Sequence, residues 1–168
     1  NTVSKTYEQE IQKNNERFLT IFTNSPVGMV ISSHDDRKYV TANKVFVEMF
    51  DLESEDEIVG KDPLKAGLVS FKESVRVAQL LKEKNELSLE EVKCVTRKGK
   101  EIVALISANN IEIKGEKFLL SSYVNVTERK KLETEVKESI ARFLAIFQDS
   151  PVGMVITNKQ TKKYANVN

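Results

Sequence analysis

The sequence predicts an α+β domain, a five-stranded antiparallel sheet with inner helices, flanked by long amphipathic helices at its N- and C-terminal ends. Three observations lead there. First, residues 17–31 read RFLTIFTNSPVGMVI and residues 142–156 read RFLAIFQDSPVGMVI, identical at twelve of fifteen positions with a constant offset of 125. Unrelated segments of ordinary composition would share about one position, so this is an internal duplication. Second, apolar residues recur at steps of three and four before each copy, the period of a helix with one apolar stripe. Third, β-rich runs are separated by short glycine-centred turns at Gly99 and Gly115, where a hairpin requires positive φ.

Residues 4–22 carry Tyr7, Ile11, Phe18, Ile21 and Phe22 on one stripe, interrupted by Asn14 and Asn15. A seam with a polar centre fits a coiled-coil contact, where a buried amide sets register; an amphipathic helix lying on its own domain fits equally. Pro26 ends the helix, because proline disfavours helical geometry in the residue before it. Residues 27–33 are short, apolar and β-branched and read as a strand; 34–37 form a polar turn and 38–41 a returning strand. Residues 42–50 form a short helix with Val45, Phe46, Met49 and Phe50 on its stripe, and 51–63 are turn-like. The next helix spans 71–85, with Phe71, Val75, Ala78 and Leu81 aligned. Strands at 89–96, 102–113 and 117–126 close the sheet as a meander. A helix over 128–147 follows, with Leu132, Val136, Ile140, Phe143 and Phe147 as its seam. The division is then 1–23 helix, 24–127 domain, 128–148 linker helix and 149–168 the start of a second copy.

Bulk properties exclude several functions. Lys and Arg number 26 against 25 Asp and Glu, a net charge of +1, and no basic face is interleaved with aromatics, so nucleic-acid binding is not expected. No apolar run approaches the roughly 18 residues of a membrane span, and no membrane contact is expected of this segment. The single cysteine, Cys94, rules out an intrachain disulfide and fits a reducing compartment; a cytoplasmic location is expected. No His, Cys, Asp or Glu cluster has metal-ligand spacing. There is no nucleophile elbow and no glycine-rich phosphate loop, so this stretch is not expected to be an enzyme.

The stretches SPVGMVISSHDDRKYVTANKVFVEMF and VTRKGKEIVALISANNIEIKGEKFLLSSYVNVTERKKLE, in this order, resemble a PAS sensor domain. Asn43 holds the family's asparagine at the start of the first inner helix. Asn125, Val126 and Thr127 stand where the family commonly has Asp-Ile-Thr, so this chain lacks that aspartate's charge. The resemblance implies a sensory input and dimerisation unit in a multi-PAS signalling protein, most often a sensor histidine kinase and less often a cyclic-dinucleotide synthase. It also implies a homodimer through the flanking helices. A small ligand would lie between sheet and inner helices, lined by Met29, Ile31, Phe46, Phe50, Cys94, Ile106 and Tyr123, with Asn125 and Thr127 relaying the signal and Thr127 also fitting a helix N-cap. The ligand's identity is left open. Haem and a photoactive flavin are not supported, because the longer helix has no histidine and GKDPLKAGL has no cysteine. By the same alignment Ala104, Ile106 and Ala108 face inward while Val103, Leu105 and Ser107 face out, and the N-terminal helix, from the same chain or a partner, is the expected cover of that outer face. A passive dimerisation and spacer unit, its cavity filled by its own side chains, is the competing reading.

Overall fold

The computed structural model describes residues 2–168, which divide into two units, one ending at Thr127 and one running from Glu128 to Asn168. In the first, α1 (Thr2–Asn24) stops before Pro26 and leads into β1 (Gly28–Ser33) and β2 (Tyr39–Ala42). Next come α2 (Lys44–Met49), a 3₁₀ turn (Glu55–Glu57) and α3 (Phe71–Lys84). The meander β3 (Leu87–Val95), β4 (Glu101–Ile113) and β5 (Glu116–Asn125) completes a five-stranded antiparallel sheet in the order β2-β1-β5-β4-β3. Both hairpin glycines take positive φ, 82° at Gly99 and 80° at Gly115.

Capping explains where the helices start. Ser54 and Ser70 accept from the N–H of Asp56 and Glu73, and α3 ends on Asn85 at φ 59°. The α3 stripe differs from the one predicted. Phe71 is 71% exposed and Val75 is exposed, whereas Ser74 is buried and Val77, Leu80 and Leu81 pack on the core. Ion pairs fix this rotation: Arg76 binds Glu73 and Glu90 at 2.9 and 2.8 Å and the Glu91 carbonyl at 2.6 Å. They tie the first half of α3 to β3.

Strand alternation divides the sheet into two faces. Gly28, Val30 and Ser32 of β1 share the inner face with Ala104, Ile106 and Ala108 of β4, and with Leu119, Ser121 and Tyr123 of β5. A Cβ on Gly28 would lie 3.2 Å from the Phe46 backbone, so glycine here admits α2 against the sheet. The outer face carries Met29, Ile31, Val103, Leu105 and Leu120. On this face Ile31 is buried; of α1 only Phe22 is buried, whereas Tyr7, Ile11 and Ile21 are exposed.

α4 (Thr127–Asp149) carries its seam in the open, with Leu132, Val136, Ile140 and Phe143 exposed and Phe147 buried. In the second unit β6 (Val155–Thr157) pairs antiparallel with β7 (Tyr164–Val167), within the same chain. Among the described residues no helix is long and apolar enough to cross a membrane.

Candidate functional site

The inner face of the sheet and α2 enclose four aromatic rings. Phe46 lies 4.5 Å from Phe50, 5.0 Å from Tyr123 and 6.0 Å from Tyr39, centroid to centroid, and Phe50 lies 6.0 Å from Tyr123. The tilted and edge-on geometries are those ring quadrupoles favour. These rings fill the space beneath α2. Towards α3 a chamber of about 40 Å³ remains, lined by Ser32, Tyr39, Leu81, Ile106, Ser121 and Tyr123, with Arg37 at its edge. One water needs about 10–15 Å³ by this measure, so the chamber holds a few waters at most. It adjoins a wider mouth of about 480 Å³ between the β1–β2 turn and the second half of α3, with Arg37, Leu81 and Leu119 lining both.

Two buried hydroxyls meet at this chamber. Burial raises the pKa of Tyr39 well above the ordinary phenol value, and the neighbouring Tyr123 adds to the rise. Burial likewise raises Tyr123, and the nearby Arg37 guanidinium partly offsets both shifts. Burial pushes the Cys94 thiol up to about 12, which leaves it a neutral filler rather than a nucleophile at physiological pH. Among the described residues no three His, Cys, Asp or Glu side chains come together as a metal site would need.

The structure gathers some of the expected lining residues and disperses others. Ile106 and Tyr123 line the chamber. Phe46 and Phe50 belong to the ring cluster beside it. Cys94 lies in the same core but opens on a separate cleft of about 500 Å³, shared with Ser70, Glu73, Lys93 and Thr127. Met29 and Ile31 lie on the opposite face of the sheet, a correction that follows from strand parity: Val30 and Ser32 are the β1 residues turned inward. Ser32, Tyr39, Ser121 and Arg37 were missed. Alternation from Gly28 would have found Ser32, whereas Arg37 reads as one more polar turn residue.

At each end of the domain a side chain joins a flanking helix to the sheet. Asn43 is buried and uses all its bonding capacity. Its Oδ1 accepts from the N–H of Met29 at 2.9 Å and of Phe46 at 3.0 Å, capping α2, while Nδ2 donates to the carbonyls of Phe22 at 2.9 Å and Val27 at 3.0 Å. One amide thus fastens the last turn of α1 to β1 and α2. At the other end Thr127 does not act as the expected cap. Its Oγ1 accepts from the Val103 N–H at 2.9 Å and donates to Asn125 Oδ1, which also accepts the Thr127 N–H at 3.0 Å. Asn125 therefore keeps the acceptor role of the missing aspartate without its charge.

The second unit repeats the first of these clasps. Asn168 Oδ1 accepts from the Met154 N–H at 2.7 Å, and Nδ2 donates to the carbonyls of Phe147 at 2.8 Å and Val152 at 3.0 Å. Each partner lies 125 positions beyond its counterpart. The stacked pair Phe18–Phe22, 5.8 Å apart, recurs as Phe143–Phe147 at 6.2 Å. The duplication is therefore one of hydrogen bonding as well as of sequence.

A sheet ordered 2-1-5-4-3 with its helices between the second and third strands, and an asparagine joining helix to sheet, defines the fold class. Residues 16–85 match the family model described as PAS domain. The chain is similar to the PAS domain of an HTR-like protein from Haloarcula marismortui (17% identity, TM-score 0.56, covering 72% of this chain and 98% of that one). It is also similar to a PAS domain from a two-component sensor histidine kinase (11%, TM-score 0.56, 70% and 98%) and to a Rhodobacter sphaeroides LOV protein (19%, TM-score 0.54, 68% of each). No curated protein matches. The first unit has the PAS fold.

Proposed function

We propose that this chain is the sensory input and dimerisation region of a multi-PAS signal-transduction protein, a sensor histidine kinase in its full form. A small ligand entering at the mouth reaches the Tyr39–Tyr123 chamber, and the flanking helices carry the response. The observation that carries this reading is Asn43, which ties the end of α1 to the strand and helix that bound the core. A shift of α2 against β1 cannot occur without straining the hold on α1. The repeated clasp at Asn168 supports sensor units in series, with α4 as exit helix of one and entry helix of the next. The exposed seams of α1 and α4 support pairing with a second copy. Cytoplasmic placement fits the single reduced cysteine.

The filled interior favours a second reading, a spacer that holds helices in register without a ligand, since about 40 Å³ admits no metabolite unless α3 moves. Thermal melting against a metabolite library, with native mass spectrometry of the purified chain, separates the two. Retention of a small molecule lost on unfolding, or a melting point raised by one compound class, is the result expected of a sensor. A bare mass with a melting curve unmoved across the library sinks the sensing reading. Sedimentation showing only monomer at high micromolar concentration sinks the pairing.

A further inference from the structure

We infer that the mouth between the β1–β2 turn and α3 binds the anionic head of a small organic molecule, a carboxylate or phosphate monoester, with Arg37 as its anchor. This rests on the ligand-sensing reading and names the ligand class.

Charge is the first argument. The mouth is lined by the basic side chains of Arg37 and Lys82, against a single carboxylate, Asp35, whose Oδ1 lies 3.2 Å from His34 Nδ1. Among the described residues neither Arg37 nor Lys82 has an ion-pair partner. Arg76, on the other half of α3, is by contrast held by two carboxylates. A half-buried guanidinium in a concave, partly apolar site is a strong receptor for a planar oxyanion, because its paired N–H groups match two oxygens at once.

The backbone supplies the second argument. Arg37 adopts φ 56°, a region that costs a side-chain-bearing residue and that turns normally fill with Gly or Asn. The hydrogen bonds of the turn are satisfied by backbone geometry, Arg37 N–H to the Ser33 carbonyl at 3.0 Å and Ser33 N–H to the Lys38 carbonyl at 2.9 Å, so the turn does not need arginine. In the second copy the corresponding residue is Lys162, at φ 55°, with its N–H on the Asn158 carbonyl at 2.8 Å. A cation thus occupies the strained position in both copies, although the neighbouring turn residues have changed from His34, Asp35 and Asp36 to Lys159, Gln160 and Thr161.

Shape completes the case. Ala78, Leu81 and Leu119 give the mouth an apolar wall, and about 480 Å³ falls within the size range of small-molecule sites. Arg37 also borders the chamber, so an anion bound to it directs an apolar body along Leu81 and Leu119 towards the tyrosine hydroxyls.

The test is a two-dimensional amide NMR titration of the whole chain with hexanoate, hexyl phosphate, hexanol and hexylamine. The anions should shift His34–Lys38, Leu81, Lys82 and Leu119, and the stronger of the two identifies the head group. R37Q should weaken that binding at least ~10-fold, R37K less, and R37G should stay folded, since glycine accepts the positive φ, yet lose the anion. Hexanol or hexylamine binding as tightly as the anions, anion binding unchanged in R37Q and R37G, or no anion binding at millimolar concentration overturns the inference. Charge-blind binding at the mouth would leave the sensing reading standing, and the metabolite screen decides that reading separately.

Discussion

Replacing Asn43 by alanine should be among the most damaging single changes in the domain. The side chain is buried and makes four hydrogen bonds, all with backbone groups. Losing the N-cap of α2 costs about 1 kcal/mol. The other three bonds leave the Met29 N–H and the carbonyls of Phe22 and Val27 short of a partner, at about 1 kcal/mol each. The total is about 3–4 kcal/mol, a large share of the roughly 5–15 kcal/mol that stabilises an ordinary domain. Urea unfolding read by the fluorescence of the buried tyrosines should show a midpoint lower by about 1.5–4 M for an m-value of about 1–2 kcal/mol/M. Asn43→Asp should be no gentler at neutral pH, because it keeps the two acceptor bonds but points a carboxylate at two carbonyl oxygens. Asn168→Ala is the control: its clasp is largely exposed, so it should leave the tyrosine-reported transition unchanged. A loss below about 1 kcal/mol in N43A would refute the claim that this residue fastens α1 to the core.

Alkaline titration should lower stability. Burial, above all, holds Tyr39 and Tyr123 above the ordinary phenol value and Cys94 at about 12. Groups whose folded pKa is raised contribute stability fully present below their unfolded values, about 8.5 for Cys and 10 for Tyr, and lost as pH rises through them. The urea midpoint should fall above about pH 9, with C94A and Y123F each flattening part of the decline; a midpoint constant to pH 11 contradicts this. At the acid end the hydrogen bond from Arg76 holds Glu73 below its ordinary value, aided by the Lys93 N–H and opposed by burial. Its contribution is present above the unfolded carboxyl pKa of about 4.3 and lost as pH falls through the folded one. E73Q should therefore cost about 1–2 kcal/mol at pH 7 and little at pH 3, and an equal cost at both would be wrong for this pair. Gly28→Ala should cost about 1–3 kcal/mol, because the new Cβ meets the Phe46 backbone at 3.2 Å. Gly153→Ala meets nothing within 4 Å and should be neutral in the same denaturation assay.

The fold was legible because its signals are local. Pro26, Gly99, Gly115 and the apolar runs between them place the elements to within a few residues. Facing was harder, and the misplacement of Met29 and Ile31 shows why. VGMVISS is apolar at nearly every position, so alternation has no polar phase to lock on to, and the face is set by Gly28 admitting Phe46. The same limit misjudged α3: Phe71 and Val75 sit at helical spacing with Leu81, but Arg76 bonded to Glu73 and Glu90 turns them outward. At the start of β3, Leu89 takes φ 49° where the register shifts between Leu87 and Glu90, an irregularity that no pattern of residue types announces. Arg37 was invisible as a site residue because its meaning lies in what stands across from it, the second half of α3.

The two helix attachments explain how a change of small volume could matter at long range. Phe46 lies within the ring cluster, and the amide N–H of the same residue is one of the four partners of Asn43. A ligand that pushed Tyr39 or Tyr123 would press on that ring, shift α2 and pull directly on the Phe22 carbonyl in the last turn of α1. No chain of intermediate side chains is required. The Thr127 attachment differs, since it holds Val103 on the outer face of β4, away from the rings, through bonds shared with Asn125. Asn43 therefore couples α1 to the core, whereas Thr127 bonds to the sheet. A ligand that moves α2 without distorting β4 should loosen the first and leave the second intact. Hydrogen exchange in saturating ligand would then change protection at Phe46 and Met29 while leaving Val103 unaltered. Equal changes at all three would indicate that the domain responds as one block, with no separate couplings at Asn43 and Thr127.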